Sequence, residues 1–529
     1  AREFCQLAQA LRDSGYGGHV IAGGHFASLN SRRLLQDFSI FDSVGLGEGE
    51  ELVVALAENL EHLDKITGLA YRLPDGSVKV NPSKGNPDDL DALPFPKRTT
   101  FHSYWDKPIA SILSSRGCWR DCAFCSINAW YKQGGGKKFR VRSIENIVAE
   151  MKELYFQHGI RIFNFQDDNF FLLRPEKALR RFEALRHGLR REGVEGIAIA
   201  VKARPDSITE ESVRVLDDLG LFRVFLGVEN ASEHGLNCLN RHCRIEDILD
   251  ALRILNEFDV HIAYNLLMFE LDTTMDDILI NLRFIERHME NPFNFCRAEA
   301  YAGTGLEAKL RAQGRLLGDY FGFDYRLKDP RAEVFHQIAN YAFFDRNFSD
   351  NGLHYFNMQV DFYFQLLRRF YPERLTQTLR AAVRNFIKQT NLDTFQCLSR
   401  IYDFVMAVNP PDQVAVQGFS REMRERVDQR SEQLRLEGEK ILEWQNDLYR
   451  GRGRGARADA SSFAAADLPF PRGGRIPYTG LEALESAPSP DWTRELDPLG
   501  FGAGPIPYDE FQRRMRQEST KEGTGTTDD

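Results

Sequence analysis

Ser114-Ser115-Arg116-Gly117-Cys118-Trp119-Arg120-Asp121-Cys122-Ala123-Phe124-Cys125 is the stretch from which the fold can be read. Three thiols fall within eight residues, on a loop after the short apolar run at 109–113. This Cys-x3-Cys-x2-Cys spacing lets three thiolates from one loop reach a single metal centre. Four thiolates would close a structural zinc site or a conventional iron–sulfur cluster, whereas three leave one metal position free for a substrate. Zinc with His102 or a distant histidine as fourth ligand is the competing reading, although zinc ligands usually come as two separated pairs.

Downstream of the loop, strand candidates lie at 160–165, 196–201, 222–228, 261–269 and 293–301, with helical stretches between them. In the first of these stretches Ser143 is a good N-cap, Ile144, Ile147, Val148, Met151, Leu154 and Tyr155 share one face, and Gly159 is a stop. Counting 109–113, six βα units predict a parallel sheet curved into a partial barrel, because right-handed crossovers place the helices outside. The cysteine loop then lies on the catalytic rim, after the first strand. Asp167 and Asp168, Lys202 and Arg204, Glu229 and Asn230, and Glu270 follow strands two to five and are expected at the same mouth. Each has a plainer reading as a helix cap or an ion-pair partner.

Upstream, residues 1–62 alternate helix, strand, glycine turn and helix, the pattern of a doubly wound α/β domain. The turns are Gly23-Gly24-His25-Phe26-Ala27-Ser28 and Gly45-Leu46-Gly47-Glu48-Gly49-Glu50, and glycine there lets backbone approach a bulky ligand. Residue 1 is Ala and the first residues read as the middle of a helix, so the chain reads as starting inside this domain. Residues 63–107, with Pro74-Asp75-Gly76 and four further prolines at 82, 87, 94 and 96, read as a hairpin and linker. Residues 108–310 are the barrel. Residues 311–450 are rich in aromatics and read as a helical cap or substrate domain, and 451–529 as a disordered or extended tail. The 529 residues carry a net charge of -9, so no nucleic-acid partner is expected. Eight scattered cysteines suit reduced thiols in a cytoplasmic protein, and neither a membrane span nor a secretory leader is read.

Gly117 to Cys125, with an aromatic residue directly before the last cysteine, resembles the signature of radical S-adenosylmethionine (SAM) enzymes. The resemblance implies a [4Fe-4S] cluster held by Cys118, Cys122 and Cys125. Its open iron would bind SAM, whose reductive cleavage gives a 5'-deoxyadenosyl radical, with flavodoxin or ferredoxin as electron donor. It further implies that Phe124 lies near the adenine, that Asp167 and Asp168 lie near the methionyl amine, and that Arg204 and Glu229 hold the carboxylate and ribose. A departure falls at Leu266-Leu267-Met268-Phe269-Glu270, where many relatives carry a Gly-Pro turn. The glycine turns, with Gly23, Gly24, Ser28, Gly47, Glu48, Gly49 and Glu50 as contacts, resemble the second half of the cobalamin domain of B12-dependent radical SAM proteins. The function so implied is methylation of an unactivated carbon in a small-molecule substrate. A B12-associated cyclase or rearrangement enzyme, or a non-catalytic zinc or cluster-sensor protein, are the alternatives. His25 is expected to be a turn residue, and Cys238 and Cys243 packing residues.

Overall fold

The N-terminal residues build a small α/β unit in the computed structural model of the chain, which describes residues 1–349, 352–408 and 412–452. It comprises α1 (Arg2–Asp13), β1 (Ile21–Ala22), α2 (Gly24–Leu29), α3 (Ser31–Asp37), β2 (Ser43–Gly45), α4 (Glu50–Glu58), β3 (Leu69–Arg72) and β4 (Val78–Val80). β1 and β2 are parallel, and the β3–β4 hairpin continues the same sheet antiparallel to β2. The hairpin assigned to a separate 63–107 segment thus belongs to this sheet: Leu69, Ala70 and Tyr71 are buried, and burying them requires a partner strand. Residues 24–29 are helical rather than a turn, so His25 sits in the first turn of α2. On α1, Cys5 and Ala8 face the core while Phe4, Leu7 and Leu11 are exposed.

The barrel follows as β5 (Ser103–Tyr104), β6 (Lys107–Ile112), β7 (Ser115–Gly117), α5 (Ser126–Gly134), β8 (Phe139–Val141), α6 (Ile144–His158), β9 (Ile162–Phe165), α7 (Pro175–Arg191), β10 (Ala198–Ala203), α8 (Glu210–Leu219), β11 (Leu221–Glu229), α9 (Glu233–Cys238), α10 (Ile245–Glu257), β12 (His261–Phe269), α11 (Met275–Arg287) and β13 (Phe293–Arg297). The sheet order is β13-β12-β11-β10-β9-β6-β5, with β6 to β13 pairing in parallel and β5 antiparallel at the edge. This is the half-barrel the six βα units predict. Side chains alternate as a strand requires: Phe163, Phe165, Ile199 and Val201 join the helix layer, whereas Ile162, Ala198 and Ala200 face the other way. The α6 boundaries follow from its caps. Ser143 Oγ accepts the Asn146 N–H at 3.1 Å, and Gly159 closes the helix in the left-handed region at φ 67°. Register shifts in β11 between Leu226 and Glu229, and in β12 between Leu266 and Phe269, bend both strands at their carboxyl ends.

The remaining described elements are α12 (Gly305–Ala312), β14 (Leu317–Asp319), β15 (Gly322–Asp324), α13 (Pro330–Phe348), α14 (Leu353–Phe370), α15 (Gln377–Ala407) and α16 (Gln413–Tyr449). Two expectations for 311–450 change. Residues 317–324 form an antiparallel hairpin, and Tyr320 and Phe321 at its tip pack on Phe26 of the N-terminal unit. Nor is α14 a cap over the mouth. Phe362 and Leu366 pack against Ile162, Ala198, Ala200 and Phe222, at the amino-terminal ends of the strands, so α14 closes the concave side from the end opposite the cysteine loop. Small Ala198 and Ala200 leave the width that two large side chains then fill. Of the tail expected at 451–529, all but residues 451 and 452 lies outside the described residues.

Candidate functional site

The cysteine loop is fixed before any ligand is considered. At Gly117 the backbone has φ 83°, and a Cβ would lie 1.8 Å from the carbonyl oxygen of Lys138, so only glycine lets β7 cross β8 here. The Ala123 N–H donates to the Leu239 carbonyl at 2.9 Å and the Ala123 carbonyl accepts from Leu306 N–H at 2.8 Å. Asn240 Nδ2 donates to the Asp121 carbonyl at 2.6 Å, while Asp121 Oδ1 and Oδ2 pair with Lys132 at 3.1 Å and Lys138 at 3.2 Å. Segments after β11 and β13, with Lys132 of α5 and Lys138 before β8, thus hold the cysteine loop in place. Cys125 is the N-cap of α5.

Two guanidinium groups face the thiols. Arg241 Nη1 is 3.2 Å and Arg204 Nη1 3.6 Å from Cys122 Sγ. Both arginines are buried, where they hold a negative sulfur far more strongly than in water. Arg204 is oriented by Asp206 at 2.9 Å and by the Arg241 carbonyl at 2.6 Å, and Arg241 Nη2 lies 3.9 Å from Glu229 Oε1. Burial raises the thiols of Cys118 and Cys125, the latter to about 12, so their ionised forms need a cation. A loop presenting three free thiols fits a metal cluster with an open position.

Asp167 and Asp168 separate in role. Asp167 is fully buried, and its carboxylate accepts from Ser114 N–H at 3.0 Å, Ser114 Oγ at 2.6 Å and Ser115 Oγ at 2.5 Å. It pins the turn entering the cysteine loop and has no side-chain surface left for a ligand. Asp168 accepts Gly117 N–H at 3.1 Å and opens into a cavity. Burial raises its carboxyl above the usual range, against the pull of Lys202. Glu229 ends β11 at φ 65°, an unusual backbone for a glutamate, and burial raises it too, opposed by Arg241 and Arg204. Phe124 is partly buried against the barrel core.

The cavity has a volume of about 690 Å3 and lies between the N-terminal unit and the barrel mouth. Gly23, Gly24, Gly47, Glu48, Gly49 and Glu50 line one side; Tyr131, Trp130 and Asp168 line the other. A Cβ at Gly23 or Gly24 would meet nothing within 4 Å, so both backbones open on free space. The acidic groups are engaged. Glu48 pairs with buried Arg140 and, at 3.0 Å, with Arg116, and Arg116 reaches Glu50 at 2.6 Å. Ser28 does not line the cavity: its hydroxyl donates to the Gly45 carbonyl at 3.0 Å and accepts from Trp130 Nε1 at 3.2 Å. His25 lines it and meets Trp130 edge-on at 4.3 Å. Sequence reasoning missed Arg241, Arg140 and Arg116. The Asn240-Arg241 turn was a usable signal for the first, but nothing in the local pattern marks the other two.

Residues 112–285 match the family described as the Radical SAM superfamily. Over 306 residues the chain is 26% identical to an uncharacterized methyltransferase of Pyrococcus horikoshii, covering 56% of this chain and 64% of the relative. It is 29% identical over 261 residues to the hopanoid C-3 methylase of Methylococcus capsulatus, 47% of each chain. The chain thus spans between about half and two thirds of the length of these curated relatives. Among solved structures, the cobalamin-dependent SAM radical enzyme OxsB with aqua-cobalamin bound shares the fold at a TM-score of 0.58 and 16% identity, covering 85% of this chain and 71% of that one. Among the described residues no helix is long and apolar enough to cross a membrane. A half-barrel of six parallel strands, a three-thiol loop on its rim and the match over residues 112–285 converge on one conclusion: residues 112–285 form a radical SAM domain.

Proposed function

We propose that the protein is a cobalamin-dependent radical SAM methyltransferase acting on an unactivated carbon of a small molecule. The observation that carries this reading is the cavity joining Asp168 at the barrel mouth to Gly23, Gly24 and Gly47. Its glycine side, where side chains added at Gly23 or Gly24 would meet only space, suits a broad planar ligand, and its other side adjoins the cysteine loop. The methyltransferase names of the relatives and the aqua-cobalamin of OxsB are in keeping with it. When bound, a cluster on Cys118, Cys122 and Cys125 supplies one-electron cleavage of SAM, and cobalamin supplies methyl carriage.

The protein's own groups do the rest. Arg204 and Arg241 offset the negative charge of the thiolates, and Asp168, which lines the cavity, would hold the amine of SAM. Trp130 and Tyr131 form an apolar wall that keeps water from the joined ligands. Phe124, Glu229 and Lys202 complete the mouth around the adenosyl and carboxylate parts. Glu48 and Glu50 act through Arg116 and Arg140, fastening the second glycine turn to the β7 and β8 strands that flank the cysteines.

Anaerobic reconstitution tests the proposal. Supplied with SAM, reductant and cobalamin, the protein should form both 5'-deoxyadenosine and S-adenosylhomocysteine. A cyclase would form only the first, and a zinc or sensor protein neither. Replacing Cys118, Cys122 or Cys125 by Ala should abolish iron binding and both products. Gly23→Trp should weaken cobalamin binding at least ~10-fold while iron content is kept, because the indole would occupy the cavity. A chain with its iron bound but no affinity for cobalamin would sink the methyltransferase reading.

A further inference from the structure

A second cluster of ligating side chains lies beside the cysteine loop, outside the cavity. His234 and Cys238 stand four residues apart, at the start and end of α9, and therefore share a face. His234 Nε2 is 3.5 Å from Cys238 Sγ, and a carboxylate oxygen of Glu270, just past β12, lies within 4.8 Å of both. Cys238, expected to be a packing residue, instead faces two polar groups because the bend at the end of β12 brings Glu270 against α9.

Three observations point to a cation. First, His234 Nδ1 is 2.9 Å from Asp277 Oδ2, and Asp277 is itself held by Thr274 N–H at 2.9 Å and Thr274 Oγ1 at 2.7 Å. An Nδ1–H donated to that carboxylate leaves the Nε2 lone pair aimed at Cys238, the arrangement that orients metal-binding histidines. Second, Glu270 is 1% exposed, and among the described residues no lysine or arginine forms an ion pair with it. Among the described residues its oxygens accept from Asp272 N–H at 3.0 Å and Thr273 Oγ1 at 3.2 Å. A buried carboxylate without a cation is costly. Third, the charges close: one thiolate, one carboxylate and one neutral imidazole neutralise a divalent ion, the thiol proton leaving to solvent. A Cys-His-Asp nucleophile is the competing use of the same groups. It needs electropositive surroundings to hold a thiolate, whereas the three carboxylates of Glu270, Asp272 and Asp277 near Cys238 outweigh the one ammonium of Lys309.

We infer that His234, Cys238 and Glu270 form a zinc site with Asp277 as the carboxylate that orients the histidine. The mixed imidazole, thiolate and carboxylate donor set selects zinc among common divalent ions. His234 is half-exposed, so the fourth position is open to water or to an electron-rich group. Leu239, next to Cys238, accepts the hydrogen bond that holds Ala123 between the cluster cysteines. Zinc therefore braces the segment on which the cysteine loop rests.

The inference does not depend on cobalamin or on methyl transfer. Full-length protein, purified anaerobically with its iron and dialysed against micromolar zinc, is analysed for both metals and by zinc-edge X-ray absorption. One zinc per chain is expected, with a single sulfur at about 2.3 Å and the other ligands nitrogen or oxygen near 2.0 Å. His234→Ala, on the exposed side, and Cys238→Ser should each lose zinc while retaining iron, and Asp277→Asn should weaken zinc ~10- to 100-fold. Three sulfurs at the zinc edge would instead mean zinc in the cysteine loop. That result, no zinc in the wild type, zinc unchanged in Cys238→Ser, or rapid alkylation of Cys238 by iodoacetamide that zinc does not slow would each overturn the site.

Discussion

Adjacent carboxylates with opposite surroundings, Asp167 and Asp168, show how much one peptide step decides. Asp167 points into the turn below the cysteine loop and satisfies three donors of Ser114 and Ser115. Asp167→Ala should therefore cost about 2–4 kcal/mol, since orphaned buried donors lose the full value of their partner. A drop in urea midpoint checks this. Asp168→Asn should leave that midpoint within about 1 kcal/mol and raise the KM for SAM roughly 10-fold, because one charge-assisted contact is exchanged for a neutral one. Equal destabilisation by both substitutions would mean that Asp168 is structural as well. The chain offers the two residues as one acidic pair after strand two. Both lie just past the end of β9, and which one faces the mouth depends on how the chain leaves that strand and on the register of β9 against β6, where Phe165 lies opposite Ile112.

At the scale of elements, helix α14 carries an unexpected load. Leu366 is fully buried in the cluster that joins α14 to Ile162, Ala198, Ala200 and Phe222. His261 of β12 meets Asp361 of α14 at 2.5 Å, both fully buried. An open half-barrel exposes its concave face unless something fills it, and α14 fills the end away from the cysteines. Leu366→Ala should cost about 2–5 kcal/mol by removing apolar contact and leaving a cavity. Denaturant unfolding measures it, and a loss below about 1 kcal/mol would show that α14 is not integral to the barrel. The aromatic run from Tyr355 to Phe370 is visible in the chain, and its helical period is legible. Its destination is not, because the complementary surface comes from strands 100 to 200 residues earlier.

Across the whole molecule, two partly buried histidines contribute to the response to acid. Burial pushes His336 down to about 3 and His354 down to about 4. In the unfolded chain both return towards the usual imidazole range near ~6.5. Below that value the unfolded state binds protons that the folded state refuses, so stability is present at neutral pH and falls as pH drops towards 3 or 4. Each histidine contributes a slope of up to about 1.4 kcal/mol per pH unit in that window. His336→Phe, beside Phe269 at 5.0 Å, should flatten the decline in urea midpoint between pH 6 and 4. Parallel curves for variant and wild type would contradict this.

The six-stranded parallel sheet, the position of the cysteine loop after its first strand, and the caps of α6 at Ser143 and Gly159 were all determined by the sequence alone. They rest on local periodicity, on glycine and proline stops, and on a spacing of thiols that one loop either has or lacks. The pairing of Arg241 with Cys122, the clamp of Glu48 on Arg140, the closure of the barrel by α14 and the meeting of His234, Cys238 and Glu270 were decided only by the tertiary structure. In each case the partners come from separate elements whose approach depends on strand register and on the bends at strand ends. Those are sums of many side-chain contacts, so no single stretch of the chain encodes them.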